Sequence, residues 1–132
     1  MLTFKAPLDD IRFVLNELFD YGGTVAGLPG YEDAGADTVD AVLEAAAQFC
    51  EGELLPLNFP ASEEGCHFAN GVVTTPRGFR QAYAAFARDG WMGICCDPDY
   101  GGQGLPRVVG FALKELICAT NVAFGTYPGL TQ

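Results

Sequence analysis

The sequence is short of the residues from which most reactive sites are built. It has one histidine, one serine and one tryptophan among 132 residues. Each scarcity closes a class of chemistry. Ser62 has no G-x-S-x-G around it, so a serine nucleophile elbow lacks support. His67 stands beside Cys66, but catalytic Cys–His pairs meet across a fold, and neighbouring residues of a strand point to opposite faces. The five cysteines, Cys50, Cys66, Cys95, Cys96 and Cys118, contain no C-x-x-C pair, which argues against structural zinc and for reduced, mostly buried thiols. Basic residues are scarce as well: seven against seventeen acids, for a formal charge of −10. Residues 1–65 hold thirteen acids and two bases, whereas residues 66–132 hold four acids and five bases. A nucleic-acid backbone would be repelled by the first half and barely attracted by the second, so no nucleic-acid partner is expected. No uninterrupted apolar run approaches the roughly 18 to 20 residues needed to cross a bilayer, and no membrane span is expected. The N-terminus shows no basic region leading into an apolar one, so neither a secretory signal nor a transit peptide fits and a cytoplasmic location is the expectation.

What is present is a globular composition, 49% hydrophobic and 12% aromatic, in a chain of one-domain length. Helical spacing dominates. Ile11, Val14, Leu15, Leu18 and Phe19 predict an amphipathic helix from Pro7 to about Tyr21, followed by a glycine-rich loop from Gly22 to Ala36. Val39, Val42, Leu43, Ala46, Phe49 and Cys50 predict a second helix, capped by Asp37 or Thr38 and ended or kinked at Pro56. Cys66–Thr75 carries Asn70-Gly71, the signature of a tight type I′ hairpin that would have to lean on helices. Phe79, Ala82, Tyr83, Phe86 and Ala87 predict a third helix from Thr75-Pro76 to Asp89, stopped by Gly90. A fourth, from about Leu105 to Phe124, is apolar on nearly every side. Such a helix belongs in the middle of a larger body, whose core the rest of a longer protein or a partner would complete. The fold class read from these elements is all-α, with about four main helices and one small β-hairpin.

The stretch "CCDPDYGGQGLP", residues 95–106, invites two attractive readings, and both fail. Gly102-x-Gly104 lacks the third glycine of a dinucleotide fingerprint, since Arg107 stands there, and no βαβ unit surrounds it. Asp97-x-Asp99 lacks the twelfth-position glutamate of a calcium loop, where Val108 stands. The remaining reading is a rigid turn that aims the fourth helix, with prolines fixing φ, glycines accepting positive φ and Tyr100 able to pin the turn to the core.

Taken in order, the segments resemble a known family. "GWMGICCDP" followed by "YGGQGLP", together with "FKAPLDDIRFVLNEL", "FCEGELLPLN", "NGVVTTPRGFRQAY" and "NVAFGTYPGLTQ", resembles the N-terminal helical domain of the acyl-CoA dehydrogenase family. The likeness lies with the branch that includes 3-(methylthio)propionyl-CoA dehydrogenase and some longer-chain acyl-CoA dehydrogenases, and it covers essentially residues 1–132. It implies an FAD enzyme that removes hydrogens from Cα and Cβ of an acyl-CoA thioester. A carboxylate takes the α-proton, and the flavin receives the β-hydride. The family's middle β-domain and C-terminal helical domain, which hold much of the flavin site and the base, have no counterpart in these residues. Asp97, Asp99 and Glu115 do not match the catalytic position, so no catalytic residue is expected here and the 132-residue chain alone is expected to be inactive and without bound FAD. The resemblance places Ala123, Phe124, Tyr127 and Leu130 near the acyl end of the substrate, where Phe124 and Tyr127 would limit pocket depth; the alternative is that all four are end-of-helix core residues. Acyl-CoA, the remaining enzyme domains, a homo-oligomer and electron-transfer flavoprotein are the implied partners. Two other readings stand beside this one: a non-enzymatic helical interaction module docking through the fourth helix, and a domain of a related flavin-dependent oxidase or monooxygenase.

Overall fold

The computed structural model describes residues 3–130; Met1 and Leu2, and Thr131 and Gln132, the last two residues of the motif NVAFGTYPGLTQ, lie outside the described residues. The chain folds as α1 (Leu8–Phe13), α2 (Tyr21–Thr24), α3 (Ala36–Phe49), α4 (Leu55–Glu64), a hairpin of β1 (His67–Ala69) and β2 (Val72–Thr74), α5 (Phe79–Arg88) and α6 (Arg107–Gly129). The all-α expectation with one small hairpin holds.

Two helices change pitch part-way. After α1 the backbone continues as a π-helical turn, Val14–Leu18, closed by the Phe19 N–H on the Val14 carbonyl. A five-residue repeat shifts the 3.6-residue phase, so Ile11 and Leu15 face the core while Val14, Leu18 and Phe19 are exposed, against the inward set that uniform periodicity predicts. Asp20, in the left-handed region at φ 47°, then ends the helix, one residue short of the expected Tyr21. Inside the expected loop, Tyr21–Thr24 forms one further turn, and the buried Tyr21 hydroxyl donates to the Ala34 carbonyl at 2.7 Å. Arg12 bridges Asp9, Asp40 and Glu44, joining α1 to α3.

The second pitch change follows α3. Cys50–Leu54 is π-helical, with the Leu55 N–H on the Cys50 carbonyl, and α4 runs on through Pro56 and Pro60 to Glu64. Pro56 therefore does not end the helix. It sits at the start of α4, where a missing N–H costs least, and the wider π turn just before it absorbs the irregularity.

The hairpin has the expected turn, with Asn70 at φ 52° and Gly71 at φ 79°, and pairs His67 with Thr74. Its strands are not covered by helices, however: all six strand residues are exposed. Its base is held instead by Glu64, which accepts from the Arg77 backbone N–H at 3.1 Å and its guanidinium at 3.3 Å. The third helix starts three residues later than its proline suggests, because Gly78 is left-handed at φ 88°, and Tyr83 and Ala87 of its expected inward face are exposed. Gly90 stops it as expected, at φ 84°.

The glycine loop is a turn of dense internal bonding. Asp97 caps a 3-10 turn, Pro98–Tyr100, through the Asp99 N–H at 2.8 Å. The loop then folds back on the apolar link, with Gln103 N–H on the Gly93 carbonyl, Gly104 N–H on Cys96 and Leu105 N–H on Ile94. Gly101 and Gly104 use positive φ, and a Cβ on Gly102 would lie 2.0 Å from the Cys96 carbonyl oxygen. Tyr100 does not pin the turn to the core, for it is 90% exposed; the backbone bonds do that work.

The core gathers around α6, which packs on α3, α4 and the π turn between them. A run of ring contacts links the layers: Trp91 to Phe49, Phe49 to Phe86, Phe86 to Phe124, Phe124 to Phe79 and Phe79 to Tyr127, at centroid distances of 5.7–6.2 Å. Each such contact adds about 1 kcal/mol beyond burial. At 23 residues α6 is long and apolar enough to cross a bilayer by those criteria alone, a feature that a search for unbroken runs passes over. Half of it is buried within the fold, and it is broken at Asn121. Those are the properties of a core helix.

Candidate functional site

The break in α6 organises the region where sequence reasoning placed the site residues. Asn121 leaves helical geometry at φ −155°, ψ 86°, and its Oδ1 accepts the Phe124 N–H at 3.0 Å. It thereby caps a second helical segment, residues 122–129. That segment turns Phe124 fully into the core, edge-on to Phe79 and Phe86, and sets the Tyr127 ring edge-on to Phe79 at 5.7 Å.

Between this segment and α5 lies a groove of about 360 Å³, lined by Thr75, Phe79, Arg80, Tyr83, Phe124 and Tyr127. Of the four expected residues, the groove brings Phe124 and Tyr127 together. Ala123 and Leu130 are exposed and stand outside its lining. Sequence reasoning missed Phe79 and Tyr83 as lining residues because both were spent on the inward face of their helix. It missed Thr75 and Arg80 because nothing local marks them. Across the lip, the Cys66 thiol and the Tyr127 hydroxyl are 3.8 Å apart, and burial together with that contact pushes the phenol above its ordinary value. A second hollow, of about 300 Å³, is walled by Cys95, Gly110, Ile117 and Gly125, with Arg107 and Lys114 contributing charge. A Cβ on Gly110 would lie 2.6 Å from the Cys95 sulfur, so glycine lets the thiol pack closely against α6.

The thiols divide by environment. Cys50 is fully buried, which pushes its thiol up to about 12, and burial also raises Cys95. Cys66 and Cys96 are exposed, and Cys118 is half-buried, so the expectation of mostly buried thiols holds only for Cys50. All five are free. Neither hollow is lined by a carboxylate that could act as a base.

A dinucleotide needs donors for its phosphates, and the glycine loop has none to spare. Gly101, Gly102, Gln103 and Gly104 donate their N–H groups to Pro98, Asp97, Gly93 and Cys96 respectively. Among the described residues, the one buried side-chain polar atom without a partner is Trp91 Nε1, and Trp91 lines neither hollow.

The family described as acyl-CoA dehydrogenase, N-terminal domain, matches residues 36–132. The chain belongs to the acyl-CoA dehydrogenase family. It is 35% identical over 131 residues, 99% of its length, to 3-methylmercaptopropionyl-CoA dehydrogenase of Ruegeria pomeroyi, of which it covers 22%. It is 33% identical over 85 residues, 61% of its length, to butyryl-CoA dehydrogenase of Syntrophomonas wolfei subsp. wolfei, of which it covers 14%. The chain thus spans about a fifth or less of the length of these relatives. As an acyl-CoA dehydrogenase N-terminal domain, it supplies a helical body and two hollows, neither of them lined by a carboxylate.

Proposed function

We propose that this domain shapes the acyl end of the substrate site in an FAD-dependent acyl-CoA dehydrogenase, which oxidises the Cα–Cβ bond of an acyl thioester. The observation that carries the reading is the groove beside the second segment of α6, where Phe124 and Tyr127 converge in a chain of this family. An aromatic-lined groove suits an alkyl chain, because it removes methylene surface from water without asking for polar partners. Phe124 forms its floor and is fixed by two other rings. Tyr127, 38% exposed, stands at its lip and would limit reach. In such enzymes bound FAD accepts the β-hydrogen as hydride; the chain's own share is to bind and orient the acyl group and to exclude water. The base and the flavin site belong to the rest of the protein in this reading, as do a homo-oligomeric assembly, electron-transfer flavoprotein as acceptor and a cytoplasmic location, all of which rest on family resemblance.

The test uses Tyr127→Ala in the full-length protein, with kcat/KM measured across short and long acyl-CoAs. Tyr127 is chosen over Phe124 because emptying the buried Phe124 site would cost about 3–5 kcal/mol of stability. The ratio of long-chain to short-chain kcat/KM is expected to rise about tenfold, the scale set by one or two methylenes in an apolar pocket. An unchanged profile would remove the groove from the substrate site.

A further inference from the structure

We infer that Asn121 is a positioning residue for chain-length selection: it fixes the direction of the segment carrying Phe124 and Tyr127 through a reciprocal lock with α4 and the π turn before it. The inference rests on the reading of the groove as the acyl site. Asn121 is 1% exposed, and polar side chains so deeply buried persist where each polar atom has a partner. Its two ends do different work. The Oδ1 takes the Phe124 N–H, at 3.0 Å, which an unbroken helix would have given to the Thr120 carbonyl. Thr120 is compensated from across the interface, where Asn58 Nδ2 donates to its carbonyl at 2.8 Å. In return Asn121 Nδ2 donates to the Leu54 carbonyl, at 3.2 Å, at the end of the π turn.

The exchange ties α6 to the neighbouring helix on both sides of the break, at residues 54 and 58 on one helix and 120 and 121 on the other. Helical phase restarts at Asn121, so the inward aim of Phe124 and the edge-on seat of Tyr127 against Phe79 follow from its two bonds. A continuous helix would rotate both rings away from their present partners. The π turn and the break are thus two halves of one device.

The test compares Asn121→Ala, which removes both bonds, and Asn121→Ser, which keeps a short cap acceptor and removes the donor to Leu54, in the full-length protein. Leu43→Val, a buried change in α3 away from the groove, serves as a stability-matched control. Two quantities are read: the Phe79–Tyr127 ring separation in crystals, now 5.7 Å, and the long-to-short acyl-CoA ratio of kcat/KM. Asn121→Ala is expected to displace the rings and change the ratio at least fivefold, Asn121→Ser to do so by less, and Leu43→Val to lower the melting temperature while leaving both unchanged. If Asn121→Ala does not fold, Asn121→Ser alone must shift both readings for the inference to stand. Rings that stay in place with an unchanged ratio overturn it. Rings that move while the ratio stays fixed uphold Asn121 as the positioning group and overturn the acyl reading of the groove.

Discussion

An alanine at Gly102 would set a methyl group 2.0 Å from the Cys96 carbonyl oxygen, and backbone cannot swing aside as a side chain can. Gly102→Ala is therefore expected to destabilise the fold by about 2 kcal/mol or more, read as a lower urea midpoint with an unchanged slope. An alanine at Gly22, with open space around it, is the matched control and should unfold near the parent's midpoint. The thiols offer a second measurement at this scale. Cys66 and Cys96 should react first with an alkylating reagent, and Cys50 only on unfolding, since burial both hides it and disfavours its thiolate. Modification of Cys50 at the rate of Cys66 would mean that the core around α6 opens readily.

At the scale of elements, two carboxylates hold joints rather than surfaces. Glu51 accepts from the Ala6 backbone N–H at 2.9 Å and from Lys5 at 3.0 Å, tying the N-terminal segment to the π turn, while Glu64 closes the base of the hairpin. Backbone N–H donation is the leading cause that lowers both below the ordinary 4.5. A lowered folded value means that the stabilisation is complete above the ordinary value and is lost as pH falls through the lowered one. Stability should thus decline as pH drops from about 4.5, and Glu51→Gln should flatten part of that decline. A parent and variant with parallel stability-versus-pH curves would refute the tether.

Helix existence was legible at this scale because the apolar spacing of α3, α5 and α6 is strong, and the hairpin turn because Asn70-Gly71 leaves few alternatives. Pitch was not legible. Nothing in Val14–Leu18 or Cys50–Leu54 announces a five-residue repeat, which is settled by packing, and the exposed Val14, Leu18 and Phe19 follow from it. The break at Asn121 was equally hidden, because asparagine within an apolar run reads as a tolerated polar residue until its partners at Leu54 and Phe124 are known. Of the candidate site, Phe124 and Tyr127 were reachable through resemblance. Thr75 and Arg80 were not, since they come from a different stretch of chain that only the tertiary fold brings to the groove.

For the whole molecule, both halves of the chain contribute to the core, and the hollows lie beside α6. Anaerobic titration of the full-length protein with acyl-CoA thioesters of increasing length, following flavin absorbance, tests the proposed activity and the role of the groove together. Loss of the oxidised-flavin absorbance with a preferred chain length, and a shift of that preference toward longer chains in Tyr127→Ala, are the expected results. Flavin that stays oxidised with every acyl-CoA, or a chain-length preference identical in the parent and Tyr127→Ala, would contradict them.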